Sequence, residues 1–251
     1  MALARQRLMR KKRYGEPQTA DPFMMILIFV VTLAIALLAQ WRVKSMYRRY
    51  SQVPATSGYT GAEVAREILR QADIRDVAIH EHDAMLGDHY DPLRKRLVLS
   101  SQNFHGTSLA ALGVAAHEAG HALQHKAAYA PLHLRMAAVG VTNFASQIVT
   151  FLPLIGMATG LLSTVTGLTV MAVAWGAIMM FNLITLPVEF DASRRAKAML
   201  GNMGFISGHA EHAGVSKVLN AAAMTYVAAF VTSLVYLLFY LLPLLTGGRQ
   251  R

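Results

Sequence analysis

Between Arg135 and Glu189 the chain runs for 53 consecutive residues without a charged side chain, and this stretch limits the fold more than any other. As one helix it would extend about 80 Å, whereas a bilayer core needs only about 20 residues per crossing. Two spans fit that length and one does not. Gly156, Gly160, Ser163, Thr164, Thr166 and Gly167 cluster near its middle, where such residues favour a turn. The spacing therefore predicts spans over residues 140–159 and 166–186. Two further uncharged runs, Phe23 to Ala39 and Val218 to Gly248, predict spans over 22–41 and 221–244. A chain with four such segments is a mainly α membrane protein. Its composition agrees, with 54% hydrophobic and 15% charged residues against about 25% charged in soluble domains.

Residues 1–21 form a basic tail carrying Arg5, Arg7, Arg10, Lys11, Lys12 and Arg13. A basic leader before an apolar run has the pattern of a signal peptide, but no small-residue cleavage site follows. Trp41, Arg42, Lys44, Arg48 and Arg49 follow instead, so the segment reads as a retained span. The net charge of +10 does not point to nucleic acid, because the cations crowd beside the apolar runs and lack aromatic interleaving. Anchoring at the headgroups of a lipid bilayer accounts for them. With no cysteine in the chain, disulfides and thiolate metal ligands are excluded.

Residues 50–135 form a water-facing region. Ser57-Gly58-Tyr59-Thr60-Gly61 opens a helix with apolar positions Val64, Ile68 and Leu69, ending near Asp73. Val77 to His82 alternates weakly and Leu97-Val98-Leu99 is short and apolar, which predicts two strands around the turn Asp88-His89-Tyr90-Asp91-Pro92. The edge of such a pair can accept an extended peptide. A helix then runs from Thr107 or Ser108, an N-cap, to about Lys126.

That helix carries Ala116-His117-Glu118-Ala119-Gly120-His121-Ala122, an HExxH pattern. Two histidines four apart lie on one helix face about 6 Å apart, so both imidazoles can bind one zinc. Glu118 between them can take the proton of a water on that metal. Catalytic zinc usually takes three protein ligands and a water. His125 cannot be the third, because on a continuous helix it stands about 12 Å from His117 along the axis. Glu189 is the better candidate. It lies in Pro187-Val188-Glu189-Phe190-Asp191-Ala192-Ser193-Arg194-Arg195, where Pro187 suits the first turn of a helix leaving the membrane. Glu189 and Asp191 could simply complement the dipole of that helix. Topology favours the metal, since two spans between His121 and Glu189 return the chain to its starting side. The segment 187–218 also holds His209-Ala210-Glu211-His212, a group more often found in a solvated loop than on a metal. A transition-state role for His209 or His212 has no support from spacing. His105 precedes the metal helix and has the position of an orienting residue, while His80, His82, His89 and His133 carry no pattern.

These stretches resemble the YugP-like neutral zinc metallopeptidases, membrane proteins of bacteria. The resemblance rests on Asp88-His89-Tyr90-Asp91-Pro92, His105-Gly106, Ala115 to Ala122, Tyr129-Ala130-Pro131 and Pro187 to Arg195, and it covers about residues 50 to 245. More distantly the chain is similar to the HtpX and CAAX-prenyl gluzincins, whose third ligand opens an E-x-x-x-D motif beyond a membrane segment. The resemblance implies a small α+β gluzincin-like metallopeptidase domain carrying HExxH on a helix. It further implies one Zn2+ per chain on His117, His121 and Glu189, and Glu118 as general base. It places the protein in the bacterial inner membrane as a multi-pass chain. One departure matters: Ser193 stands where those relatives have the aspartate that supports a ligating histidine. That support must come from Ser193, Asp191 or another group.

The function implied is zinc-dependent hydrolysis of a peptide or membrane-protein substrate. A zinc-binding scaffold or chaperone-like protein without turnover is the alternative, though a structural site gains nothing from Glu118. An intramembrane protease is disfavoured because the uncharged stretch from Thr107 to Ala116 is too short to cross a bilayer. A metal transporter is disfavoured because the spans carry no charges to relay ions. Ten Lys and Arg flank the spans on the catalytic side against eight on the other, which leans toward a cytoplasmic catalytic side although the basic tail opposes it.

Overall fold

The computed structural model describes residues 22–83 and 87–246. The basic tail 1–21 and the terminal Arg249-Gln250-Arg251 lie outside them. The elements in order are α1 (Pro22–Tyr50), α2 (Gly61–Gln71), β1 (Ala78–His82), β2 (His89–Asp91), β3 (Arg96–Ser100), α3 (Ser101–His105), α4 (Leu109–Lys126), α5 (Ala130–Thr159), a 3-10 turn (Leu161–Ser163), α6 (Val165–Asn202) and α7 (Gly208–Thr246). Among the described residues, four helices are long and apolar enough to cross a membrane: α1, α5, α6 and α7. The connection between α5 and α6 falls at Gly160, whose φ of 72° is the left-handed conformation that glycine adopts without strain. It lies inside the glycine-rich stretch identified from sequence.

The chain divides into two compact units. One comprises Ala138–Asn182 with the described residues up to Ala34 and those from Ala229 onward. Its core is small, centred on Leu168, Met171, Ala172 and Tyr240, and Trp175 stacks on Tyr236 with ring centroids 4.4 Å apart. Phe144, Leu154 and Val173 project outward, as suits residues that meet lipid rather than water.

The other unit comprises Ile35–Ala137 and Leu183–Ala228. Helix α4 runs through its centre, with Leu109, Leu112, Ala115, Ala116 and Ala119 buried together with Val64, Ile68, Leu97, Leu99, Leu200 and Val215. Burying each large aliphatic side chain contributes about 1.5–3 kcal/mol. Helix α2 starts at a capping box in which Thr60 and Glu63 satisfy each other's backbone N–H groups. Ser108 caps α4 by accepting from the Ala111 N–H at 3.2 Å.

The sheet has the order β1-β3-β2, with β1 parallel and β2 antiparallel to β3. The residues read as a turn, Asp88 to Pro92, thus contain a third strand. It is too short to show any period, and Asp88 fixes it by accepting from the Ser100 N–H at 2.8 Å and from Asn103 Nδ2 at 2.9 Å. Pro187 also differs from expectation, lying inside α6 rather than at a helix start. A proline removes one helical hydrogen bond, whereas ending the helix in apolar surroundings would orphan several backbone groups.

Gly120, the residue before His121, sets how closely α4 and α6 approach. A Cβ there would stand 2.8 Å from the Ala192 carbonyl oxygen and 3.3 Å from its Cα, so both helix backbones would have to separate. Gly120→Ala should therefore destabilise the protein by about 1–3 kcal/mol, read as a lowered Tm in detergent. At Gly140 of α5 nothing lies within 4 Å of an added Cβ, and Gly140→Ala should leave Tm unchanged or raise it through helix propensity. Equal melting of the two variants would remove the close approach as the reason for Gly120.

Candidate metal centre

Helix α4 presents His117 and His121 from successive turns of one face, their ring centroids 4.8 Å apart. Helix α6 brings Glu189 against both. Its Oε2 lies 3.2 Å from His117 Nε2 and 3.7 Å from His121 Nε2, and its side chain is 2% exposed. The three donor atoms all fall within 4.8 Å of one another. Tetrahedral ligands at about 2.0–2.1 Å from one ion are separated by about 3.3 Å, so the cluster needs only small adjustments to close on a metal.

The outward ring nitrogens are already occupied. Ser193 Oγ lies 3.2 Å from His117 Nδ1, and Gln124 Oε1 lies 2.9 Å from His121 Nδ1. Both rings are thus held with Nε2 turned toward Glu189. The other carboxylate oxygen of Glu189 accepts from Arg135 Nη1 at 2.6 Å, so one oxygen is held and the second is left for a metal. Two imidazoles and one carboxylate are the donor set of many catalytic zinc sites, and these residues fit that ion.

The electrostatics separate the three titrating groups of the HExxH stretch. Burial pushes the Glu118 carboxyl up to about 7, with the Glu189 charge adding to it against the pull of His117. Burial also drives His121 down to about 4, helped by repulsion from His117. For His117 burial acts in the same downward sense, but its hydrogen bond to the Glu189 carboxylate and the charges of Glu118 and Glu189 outweigh it and raise its pKa.

Of the candidates for supporting a histidine, Ser193 reaches His117 directly. It lies one turn after Glu189 on α6 and so faces the same way. Asp191 does not touch either histidine. It pairs with Arg194 and with Arg195, the latter at 2.6 Å, and accepts from Gln124 Nε2 at 3.0 Å. His209 and His212 are exposed, and His212 stands against Gly201 rather than among the three donors. Glu211 between them accepts from the Thr56 and Ser207 backbone N–H groups at 2.7 Å each, holding two loops together. His105 pairs with Glu81 at 3.1 Å, and His125 Nδ1 meets the Tyr90 hydroxyl at 2.8 Å.

Three residues at the centre escape the sequence motif: Gln124, Arg135 and Tyr226, the last of which interacts with Glu189 and Arg135 from α7. Gln124 has a legible signal in its spacing, three residues after His121 and seven after His117. Arg135 has another, as the final charge before the long uncharged run. Tyr226 has none.

The sequence matches the family described as "Putative neutral zinc metallopeptidase" over residues 25–245. It is 45% identical over 222 residues to the "Putative membrane protease YugP" of Bacillus subtilis strain 168, an alignment covering 88% of this chain and 97% of that protein. No solved structure matches it. The match extends across the helices that carry His117, His121 and Glu189 as well as the apolar segments on either side, and the chain belongs to this family of zinc metallopeptidases.

Proposed function

We propose that the protein is a membrane-bound zinc metalloendopeptidase that hydrolyses peptide bonds with Glu118 as general base and His117, His121 and Glu189 as metal ligands. The observation that carries this reading is the convergence of those three donors within 4.8 Å, with a buried acid from the same helix beside them. When bound, zinc supplies Lewis-acid polarisation of the scissile carbonyl and eases deprotonation of a water. Glu118 accepts the proton of the attacking water on its carboxylate and then delivers it to the departing amine nitrogen as the C–N bond breaks. Burial raises the Glu118 carboxyl above the usual carboxylate range, which favours its holding a proton and passing it on. Arg135 holds Glu189 through one oxygen throughout. The outer edge of β2 provides a strand with which an extended peptide can pair.

The substrate class is a peptide or a membrane protein. The membrane is the bacterial inner membrane, with the catalytic side to the cytoplasm. The support for that side is the ten Lys and Arg flanking the spans there against eight opposite. With four spans both termini share the non-catalytic side, so an alkaline phosphatase fused to the C-terminus should be active in the periplasm. An inactive phosphatase fusion with a fluorescent green fluorescent protein fusion would reverse the assignment.

Two substitutions test the chemistry. Glu118→Gln should keep one zinc per chain by elemental analysis and abolish cleavage of casein or a membrane-protein substrate, as a chelator should for the wild type. Full activity in this variant would remove Glu118 as the base, and wild-type zinc binding without any turnover would favour the scaffold reading. Glu189→Ala should sharply lower the zinc content. Unchanged content would move the third ligand elsewhere.

A further inference from the structure

Gln124 is fully buried at 0% exposure, and each end of its amide meets a different helix. Nε2 lies 2.8 Å from the Val188 carbonyl oxygen and 3.0 Å from Asp191 Oδ2, both on α6. Oε1 lies 2.9 Å from Nδ1 of His121, on its own helix. The two partners on α6 are an amide carbonyl and a carboxylate held by Arg194 and Arg195, and neither has a proton to give. The NH2 group must therefore face them and use both its hydrogens there. Oε1 is then fixed as an acceptor, which requires the proton of His121 to be on Nδ1. The unprotonated Nε2 of His121 points toward Glu189 as a consequence, not as a choice of tautomer.

We infer that Gln124 is a positioning residue that presets His121 for metal binding and, through the same amide, ties α4 to the turn of α6 that carries Glu189. This rests on the metal-binding reading of the site. The carbonyl that Gln124 holds belongs to Val188, the residue immediately before Glu189, so one side chain fixes the ring of one donor and the backbone beside another. An amide of this length meets all three partners at once. A glutamate of the same length would set an oxygen against the Val188 carbonyl and the Asp191 carboxylate. A direct aspartate partner for His121 would add a charge to a cluster that already holds Glu118 and Glu189. The amide passes on the polarising effect of Asp191 without bringing its charge to the ring.

The test is zinc affinity of the full-length protein in detergent, measured by competition with a chromophoric chelator, alongside Tm of the metal-free form. Gln124→Met keeps the packing volume and removes all three hydrogen bonds; it should bind zinc about 10–100-fold more weakly. Gln124→Glu should fail to restore the affinity. If Gln124 served only to join α4 and α6, Gln124→Met would lower the metal-free Tm and leave zinc affinity within twofold of wild type, and that result would overturn the inference. If the wild type itself bound no zinc, the metal reading would fall and take this one with it, so the two failures are distinct. Should Gln124→Met not fold, 15N NMR of the zinc-loaded wild type with labelled histidines decides. His121 should ligate through Nε2 with its proton on Nδ1, and ligation through Nδ1 would refute the assignment.

Discussion

The buried carboxylate of Glu189 organises this protein. Taking a carboxylate out of water is costly unless it is paired and hydrogen-bonded, and Glu189 at 2% exposure satisfies both conditions through His117 and Arg135. Those partners come from different parts of the chain, His117 from α4 and Arg135 from α5, just before the uncharged stretch. Glu189 follows that stretch. The two charges that bracket 53 uncharged residues therefore end up on each other, and the polar centre closes only when the intervening chain returns.

The close approach this needs explains the composition of α4. Its sequence LAALGVAAHEAGHALQHK is rich in alanine and glycine, which in isolation looks like helix propensity and nothing more. In the structure Ala115, Ala116, Ala119 and Ala122 are buried on several sides, and Gly120 lets the Ala192 backbone come within a distance that any side chain would block. The two unspecified positions of HExxH are thus small for a packing reason. Helix contact fixes what lies between the two histidines.

Much of this was legible in the sequence, and the limits have physical causes. Four apolar segments are readable because the bilayer sets a length that composition must meet. The meeting of Glu189 with His117 and His121 is readable because an even number of crossings restores the side. Strand β2 is not readable, since three residues cannot display a period and its anchor, Asp88, acts through Ser100 and Asn103. The helix start expected at Pro187 fails because local proline preference is weaker than the need to keep backbone groups bonded. Support for the histidines is only half readable. Ser193 follows from its place one turn after Glu189 and Gln124 shares a helix face with the histidines, but the bonds of Gln124 to Val188 and Asp191 require knowing that α4 and α6 touch.

The three acids near the centre differ in what faces them, and this separates their tasks. Glu189 has Arg135 and two imidazoles. Asp191 has Arg194, Arg195 and the Gln124 amide. Arg135 holds the first as a carboxylate and the two arginines hold the second, which suits both poorly to exchanging protons. Glu118 has neither an Arg nor a Lys paired with it among the described residues, and burial raises it to about 7. Pairs of carboxyl groups pushed apart by their surroundings mark which one does acid–base work. By that criterion the acid inside the HExxH pattern is distinguished from its neighbours because, among the described residues, the arginines pair with Glu189 and Asp191 and not with it.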